Sequence, residues 1–278
     1  MMTQQSKAAA FVDLHQRPGC FIIPNPWDGG TAKILTTLGF EALATTSAGV
    51  AFQLGKRDGV GEVTLADTLA NAKQIVDATH LPVAADLENC FAHAPDEAAK
   101  TITLAAGVGL VGGSIEDATG DAANPIYEFD HAVARVKAAV AAARALPFPF
   151  MLCARSENFL HRRPDLADTI KRLQAFEAAG ADVLYAPGLA DMAAVKQVLA
   201  ALNKPFNLLI SGGPTPITQA EAAAAGVKRI SVGGALALAA LGGFLRGAEE
   251  MKAHGTFTYG RDAAPFGKVT KLIKGVKP

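Results

Sequence analysis

The sequence predicts an α/β protein, a (β/α)8 barrel of the TIM type with extra C-terminal helices. Three observations lead there. Helical stretches alternate with short apolar runs of strand length along the whole chain. Four passages share one plan, a helix end, a glycine and an apolar run: TLGFEALATTS, AAGVGLVGGSIED, AAGADVLYAPG and AAGVKRISVGG. Polar residues collect where those runs end, which is where barrels of this kind carry their chemistry.

The elements follow in order. GCFIIPNP opens the first strand near Phe21, and the second begins near Ala42, after Gly39. HLPVAADLE places the third near Val83, and the fourth begins near Leu110, after Gly107. LPFPFMLCARSE gives the fifth near Phe150, and the sixth begins near Val183, after Gly180. NKPFNLLIS gives the seventh near Phe206, and the eighth begins near Arg229, after Gly226. The four glycines are expected to be left-handed helix C-caps. Between strands, Asp165 is placed to cap a helix with Leu166, Ile170, Leu173 and Phe176 on one face. Thr218 and Glu221 have capping-box spacing. A doubly wound open sheet is the alternative, but eight units and the lack of a GxGxxG fingerprint favour the barrel. No Ser/Pro-rich linker divides the chain, so residues 1–278 are expected to form one domain.

Composition bounds the function. The chain has 278 residues, 50% of them hydrophobic, enough for a large core. Lys+Arg and Asp+Glu both number 26, and no basic stripe argues for nucleic acid. Three cysteines without a CxxC pair argue against a disulfide framework or a structural zinc site. MMTQQSKAAAFVDLHQR lacks a long apolar stretch, and ALALAALGGF is too short and glycine-broken to span a bilayer. A soluble, cytoplasmic protein is the expectation, with no membrane partner. ISVGGALALAALGGFLRGAEEMKAHG is apolar along much of its length, more than one barrel face needs, and large apolar patches mark interfaces.

The acidic residues are the most informative. Asp86 and Glu88 end the third apolar run, and Glu116 and Asp117 end the fourth. Alternation along a strand puts Asp86 and Glu88 on one face and Ser114 and Glu116 on one face. Carboxylates are seldom buried alone. Asp86, Glu88 and Glu116 at adjacent strand ends call for a cation, an arginine or a catalytic role, and a hard divalent metal held by oxygen is the simplest answer. The plain alternative is an ion-pair network in which Arg155 neutralises two of them. Other strand ends supply Asn25, Trp27 and Asp28, then Thr45 to Gly49, then Arg155, Ser156 and Glu157, and finally Ser211, Gly212 and Gly213. Trp27 is read as a pocket wall, and Asn207, at the start of strand seven, as a substrate contact. Cys90 reads as a small apolar filler, and Cys20 and Cys153 as core. The six histidines show no ligand spacing, and His93 alone closely follows a strand end.

NPWDGGTAKIL, TTSAGVA, LGKRDGVG, VAADLEN, SIED, ARSE and ISVGGALALAAL, in this order, resemble the isocitrate lyase/phosphoenolpyruvate mutase superfamily from about Phe21 to about Leu245. The resemblance implies a modified barrel, Mg2+ (or Mn2+) as cofactor, and bond making or breaking next to a 2-oxo carboxylate. It implies Asp86 as direct metal ligand, with Glu88 and Glu116 holding metal-bound waters. It implies the backbone of Ser47, Ala48 and Gly49 as a carboxylate cradle, Arg155 as the clamp on the 2-oxo acid, and Asp58 beside the reacting group. It also implies a homotetramer of helix-exchanging dimers, with the helices from about residue 235 on a neighbouring subunit.

The departures narrow the activity. The superfamily's isocitrate-type lyases carry a KRCGH-like loop, where this chain reads ATGDAANPIYEFD without Cys, Lys or a His before His131. Strand six ends in YAPG, where those lyases have a glutamate, and Cys90 stands where glycine is usual. Tyr127 or Asp121 could close over the site, against the plainer expectation of a solvated loop. The resulting expectation is a Mg2+-dependent lyase or decarboxylase acting on a small 2-oxo or 2-hydroxy dicarboxylate through a pyruvate-type enolate. The alternatives are phosphonopyruvate hydrolase or phosphoenolpyruvate mutase-like C–P chemistry, and a 2-oxo acid binding barrel with little catalysis.

Overall fold

The eight expected strands lie in one parallel sheet that wraps nearly into a barrel. A computed structural model describes residues 2–189, 191–211, 213 and 215–275. Gly212, expected at the end of strand seven, lies outside the described residues. The strands are β1 Phe21–Ile23, β2 Leu43–Ala44, β3 Val83–Ala85, β4 Gly112–Glu116, β5 Met151–Arg155, β6 Val183–Tyr185, β7 Phe206–Leu209 and β8 Arg229–Ser231. Their order in the sheet is β1-β8-β7-β6-β5-β4-β3-β2, all neighbours parallel. The remaining gap is bridged where the amide of Ala44 donates to Pro24 O at 3.1 Å. The expected (β/α)8 architecture is therefore the observed one, each strand starting within two residues of its expected place.

Helices follow the local signals. α1 is Gln4–Gln16, α2 Gly29–Thr37, α3 Ser47–Gln53, α4 Leu65–Asp77, α5 Pro95–Gly107 and α6 Phe129–Arg144. α7 Leu166–Ala178, α8 Met192–Ala200, α9 Gln219–Ala225, α10 Ala235–His254 and α11 Phe266–Lys274 complete the series. Asp165 caps α7, and Thr218 with Glu221 forms the expected capping box on α9. Gly39, Gly180 and Gly226 have φ of +91°, +102° and +100°, as left-handed exits require. Gly107 does not. α5 runs through it, and the left-handed exit falls on Gly109, at φ +99°.

α1 closes the N-terminal end of the barrel. Its Ala8, Phe11 and Leu14 bury against Phe21, Ile23, Ala42, Ala84 and Val111. Phe11 sits so close to β4 that a side chain at Gly112 would meet its ring at 2.9 Å. Truncating such a buried aromatic costs about 3–5 kcal/mol. With the lower end plugged, the open end is at the strand C-termini, where the acidic residues lie.

The C-terminal helices divide. In α10 only Ala237 and Gly247 are buried, and Leu238, Phe244 and Leu245 are 53%, 69% and 52% exposed. α11 instead packs on α2 of its own chain, where the Thr37 hydroxyl donates to Leu272 O at 2.7 Å. The expected packing of the helices from about residue 235 on a neighbouring subunit is an interface that a single chain does not contain. No helix among the described residues is long and apolar enough to cross a membrane.

Candidate active site

β3, β4 and β5 bring an arginine and a set of carboxylates together at the open end. The β4–β5 register pairs Glu116 with Arg155, and Ser114 and Glu116 share the inner face of β4. Arg155 Nη1 donates to Asp86 Oδ1 and to Glu116 Oε1, both at 2.9 Å, while its Nε donates to Glu157 Oε1 at 2.8 Å. The guanidinium also lies over the Tyr185 ring, 4.9 Å from its centroid. Arg155 and Glu157 are buried, and the three carboxylates keep Arg155 firmly protonated.

Asp86 is the hub. Its backbone amide donates to Thr45 Oγ1 at 3.0 Å. Its carboxylate accepts the Ser47 amide at 3.3 Å, the Glu88 amide at 3.3 Å and the Ser114 hydroxyl at 3.4 Å. Strand alternation does not bring Glu88 near, because β3 ends at Ala85. A turn does so, with Glu88 at φ +48° and Cys90 and Phe91 at +58° and +54°. Three non-glycine residues in the left-handed region within four positions carry strain that surrounding structure must hold, a pattern found at functional sites.

Electrostatics show an excess of negative charge. Asp58, Asp86, Glu88, Glu116 and Glu157 act on one another around a single guanidinium. Burial, then the charges of Asp86 and Asp58, push the Glu88 carboxyl up to about 7. Burial likewise holds Glu116 well above the ordinary carboxylate range, against the pull of Arg155, with Glu157, Asp86 and Glu88 adding to it. Asp58 stands at the exposed rim, where partial desolvation and then Asp86 raise its carboxyl, offset by the Ser47 hydroxyl.

Among the described residues, no three or more His, Cys, Asp or Glu side chains are gathered closely enough to hold a metal ion by themselves. Asp86, Glu88 and Glu116 do not converge as a ligand triad, because Arg155 stands between Asp86 and Glu116. The donor chemistry nevertheless fits a hard cation: every candidate ligand is a carboxylate oxygen, and burial, with neighbouring carboxylates adding to it, raises both Glu88 and Glu116, a cost that a bound cation would offset.

The other expected residues divide in the same way. Ser47, Ala48 and Gly49 form the first turn of α3, but the Ser47 amide is turned to Asp86. Gly49 has no room for a side chain, since a Cβ would meet Thr46 Cγ2 at 2.6 Å and Trp27 Cβ at 2.8 Å. Trp27 lines an apolar pocket of about 270 Å3 with Gly49, Phe52, Leu241 and Phe244. Asn207 lies in the barrel interior, fully buried, its amide bonded to Ser231 Oγ and its carbonyl to Arg229 Nε. It borders a cavity of about 60 Å3 that Asp86 and Arg155 also line, beneath the mouth. Asp117 turns away, accepting from the Glu157 amide and Arg172, and burial raises it to about 7. Glu157, Thr45 and Ser114, placed at strand ends by the sequence without an assigned role, belong to the site, and so does Tyr185, which the sequence reading missed. The register of Arg155 beside Tyr185 is the signal that could have found it.

The loop after β4 is a closed hairpin. Ala118 pairs with Ile126, and the Thr119 amide donates to Pro125 O at 2.9 Å. Asp121 is an exposed turn residue, whereas Tyr127 is buried and donates its backbone amide to Asp117 O. Neither stands as a lid. Cys90 is buried, with its thiol pushed up to about 12, as a filler would be.

A parallel barrel with an arginine-centred carboxylate cluster at its C-terminal mouth defines an enzyme of the lyase and mutase class. The chain belongs to the phosphoenolpyruvate phosphomutase family, whose model matches residues 11–252, within the isocitrate lyase/phosphoenolpyruvate mutase superfamily. A crystal structure from Burkholderia cenocepacia J2315, provisionally described as a lyase/mutase, is 55% identical, with a TM-score of 0.93 over 96% of this chain and 95% of that one. Oxaloacetate decarboxylase of Chromohalobacter salexigens is 26% identical over 80% of this chain and 77% of its own. 2,3-Dimethylmalate lyase of Eubacterium barkeri is 28% identical over 76% and 73%.

Proposed function

We propose that this enzyme is a Mg2+-dependent lyase or decarboxylase acting on a small 2-oxo or 2-hydroxy dicarboxylate through a pyruvate-type enolate. The observation that carries the reading is Arg155 held among Asp86, Glu116 and Glu157 at the mouth, with Glu88 and Asp58 adding unneutralised charge. Asp86 would hold the ion directly, and Glu88 and Glu116 would hold its waters. When bound, the ion would supply Lewis-acid stabilisation of the oxyanion that develops when the bond to C3 breaks. Arg155, fixed on three carboxylates and a tyrosine face, is pre-oriented to bind the substrate carboxylate and the developing charge. The first turn of α3 would orient the other carboxylate through its amides, and Asp58 would stand beside the reacting carbon.

The hairpin 118–126 carries no thiol or amine, so isocitrate-type cleavage is disfavoured. Loss of CO2 needs no second carbonyl product to be activated. An oxaloacetate-like acid is therefore the favoured substrate, in keeping with the decarboxylase relative. Steady-state assays of 2-oxo and 2-hydroxy diacids with Mg2+, read by pyruvate, test this. Turnover of oxaloacetate-like acids with negligible glyoxylate and succinate from isocitrate is expected. Robust isocitrate cleavage would contradict the reading. The family's name-giving chemistry supports carbon–phosphorus cleavage as a second reading, which phosphate release from phosphonopyruvate would select.

The proposal extends to assembly and setting. The exposed apolar face of α10, with Phe244 and Leu245, fits a neighbouring copy in a homotetramer of helix-exchanging dimers, in a cytoplasmic enzyme. Light scattering at micromolar concentration should find four subunits, and a monomer would contradict it.

A further inference from the structure

His93 borders the mouth cavity and is held there by more contacts than any other imidazole on it. The cavity, about 410 Å3, is lined by Glu88, Asn89, Glu116, Asp121, His93 and His161, among others. His93 Nδ1 pairs with Tyr127 Oη at 2.5 Å, and the two rings meet edge to face at 5.9 Å. Tyr127 is fixed in turn. Its amide donates to Asp117 O at 2.8 Å, its carbonyl accepts Arg172 Nη1 at 2.9 Å, and Arg135 lies 4.4 Å over its ring.

The backbone that carries His93 is clamped as well. Arg135, 1% exposed, donates to the carbonyls of Asn89, Ala92 and His93, and His131 Nε2 bonds the His93 carbonyl at 3.0 Å. This clamp holds the chain directly after the left-handed turn at Glu88, Cys90 and Phe91. By contrast, the ring of His161 makes no hydrogen bond among the described residues. An imidazole whose one nitrogen is fixed by a supported partner leaves the other poised for proton transfer, the arrangement general acid–base catalysis requires.

We propose that His93 is the general acid–base of this site, through Nε2, with Tyr127 as its positioning residue. The inference rests on the proposed enolate chemistry and deepens it, because it names the group that takes the place of the missing loop thiol. In the forward direction the C3–C4 bond of an oxaloacetate-like acid breaks, CO2 leaves, and the electron pair enters the enolate. The imidazolium then gives its proton to C3, forming the methyl group of pyruvate, and neutral His93 regains a proton from water. In reverse, neutral His93 takes a proton from the pyruvate methyl group, and the electron pair moves onto the carbonyl oxygen.

The reverse half-reaction gives the test. Pyruvate is incubated with the full-length protein and Mg2+ in D2O, and loss of the methyl signal is followed by proton NMR. The wild type should exchange. His93→Gln should slow exchange at least about 100-fold, a typical general acid–base contribution. Tyr127→Phe should slow it less, and added imidazole should restore exchange to His93→Ala. Melting curves with and without Mg2+ check that the variants fold and still respond to the ion. Exchange retained in folded His93→Gln, or lost instead in His161→Gln, would overturn the assignment of His93 alone. A wild type that neither exchanges pyruvate nor turns over any diacid would overturn the proposed function together with it.

Discussion

Arg155 Nη1 donates to Asp86 Oδ1 at 2.9 Å across the top of β3 and β5, and the same nitrogen reaches Glu116 Oε1 at 2.9 Å. One guanidinium thus spans two of the three carboxylates that sequence alone would assign to a metal. Whatever enters the mouth meets an arginine already oriented and a set of carboxylates short of positive charge.

Replacing Arg155 should therefore expose that shortage. Arg155→Met leaves Asp86, Glu116 and Glu157 without their buried counter-charge, and breaking such a buried pair costs about 3–5 kcal/mol. Arg155→Lys keeps the charge but cannot fork to three partners, and should fall between the two. Thermal melts at pH 8 and pH 5 check it. The Met variant should lose less at pH 5, where the carboxylates can protonate. Equal losses at both values would show that packing, not charge, dominates.

Glu88 predicts a dependence on pH and metal together. Its folded value of about 7 lies above the ordinary carboxylate value of 4.5, so the folded protein binds more protons between those values. Its contribution to stability is present at low pH and is lost as pH rises through about 7. The slope should appear as the difference between wild-type and Glu88→Gln melting curves over that window. Mg2+ should raise the wild-type melting temperature more at pH 8 than at pH 5. A larger rise at pH 5 would contradict the charge-deficit account.

The plugged lower end predicts the opposite slope. His15 is buried under α1, with Nδ1 on Phe11 O and the Arg229 guanidinium beside it. Burial first, and then Arg229, lower it from 6.5 to about 3. A depressed histidine contributes stability that is present above pH 6.5 and is lost as pH falls through the window down to about 3. The loss is at most about 1.4 kcal/mol per pH unit. Relative to wild type, His15→Asn should be least stable above pH 7 and recover ground as pH falls from 6.5 towards 4. Parallel curves would show that His15 protonates freely.

Periodicity was legible in this chain, and turn geometry only in part. Glycine before an apolar run located strands such as Val183–Tyr185 because a helix must end before a strand begins. Asp86, Glu116 and Arg155 were legible because polar residues at the ends of apolar runs in a barrel lie at one mouth. Gly107 was misplaced because GVG offers two glycines, and the left-handed φ falls on Gly109, where a side chain would also meet Val76. The nearness of Glu88 to Asp86 was expected from pleating, yet a left-handed turn produces it. Trp27 was legible as a pocket wall, but another wall of its pocket was not, because α10, distant in sequence, builds it. The ties of Trp27 across the pocket could not be read from sequence. Neither could the ties of Tyr127 to His93 and Arg172, which join three different loops and helices.

Isothermal calorimetry of Mg2+ binding to the wild type and to Asp86→Ala tests the central claim most directly, that the carboxylates around Arg155 form a divalent-cation site with Asp86 as ligand. A saturable Mg2+ signal in the wild type that disappears in a folded Asp86→Ala variant is the predicted result. Unchanged Mg2+ affinity in that variant, or no binding to the wild type, would contradict it.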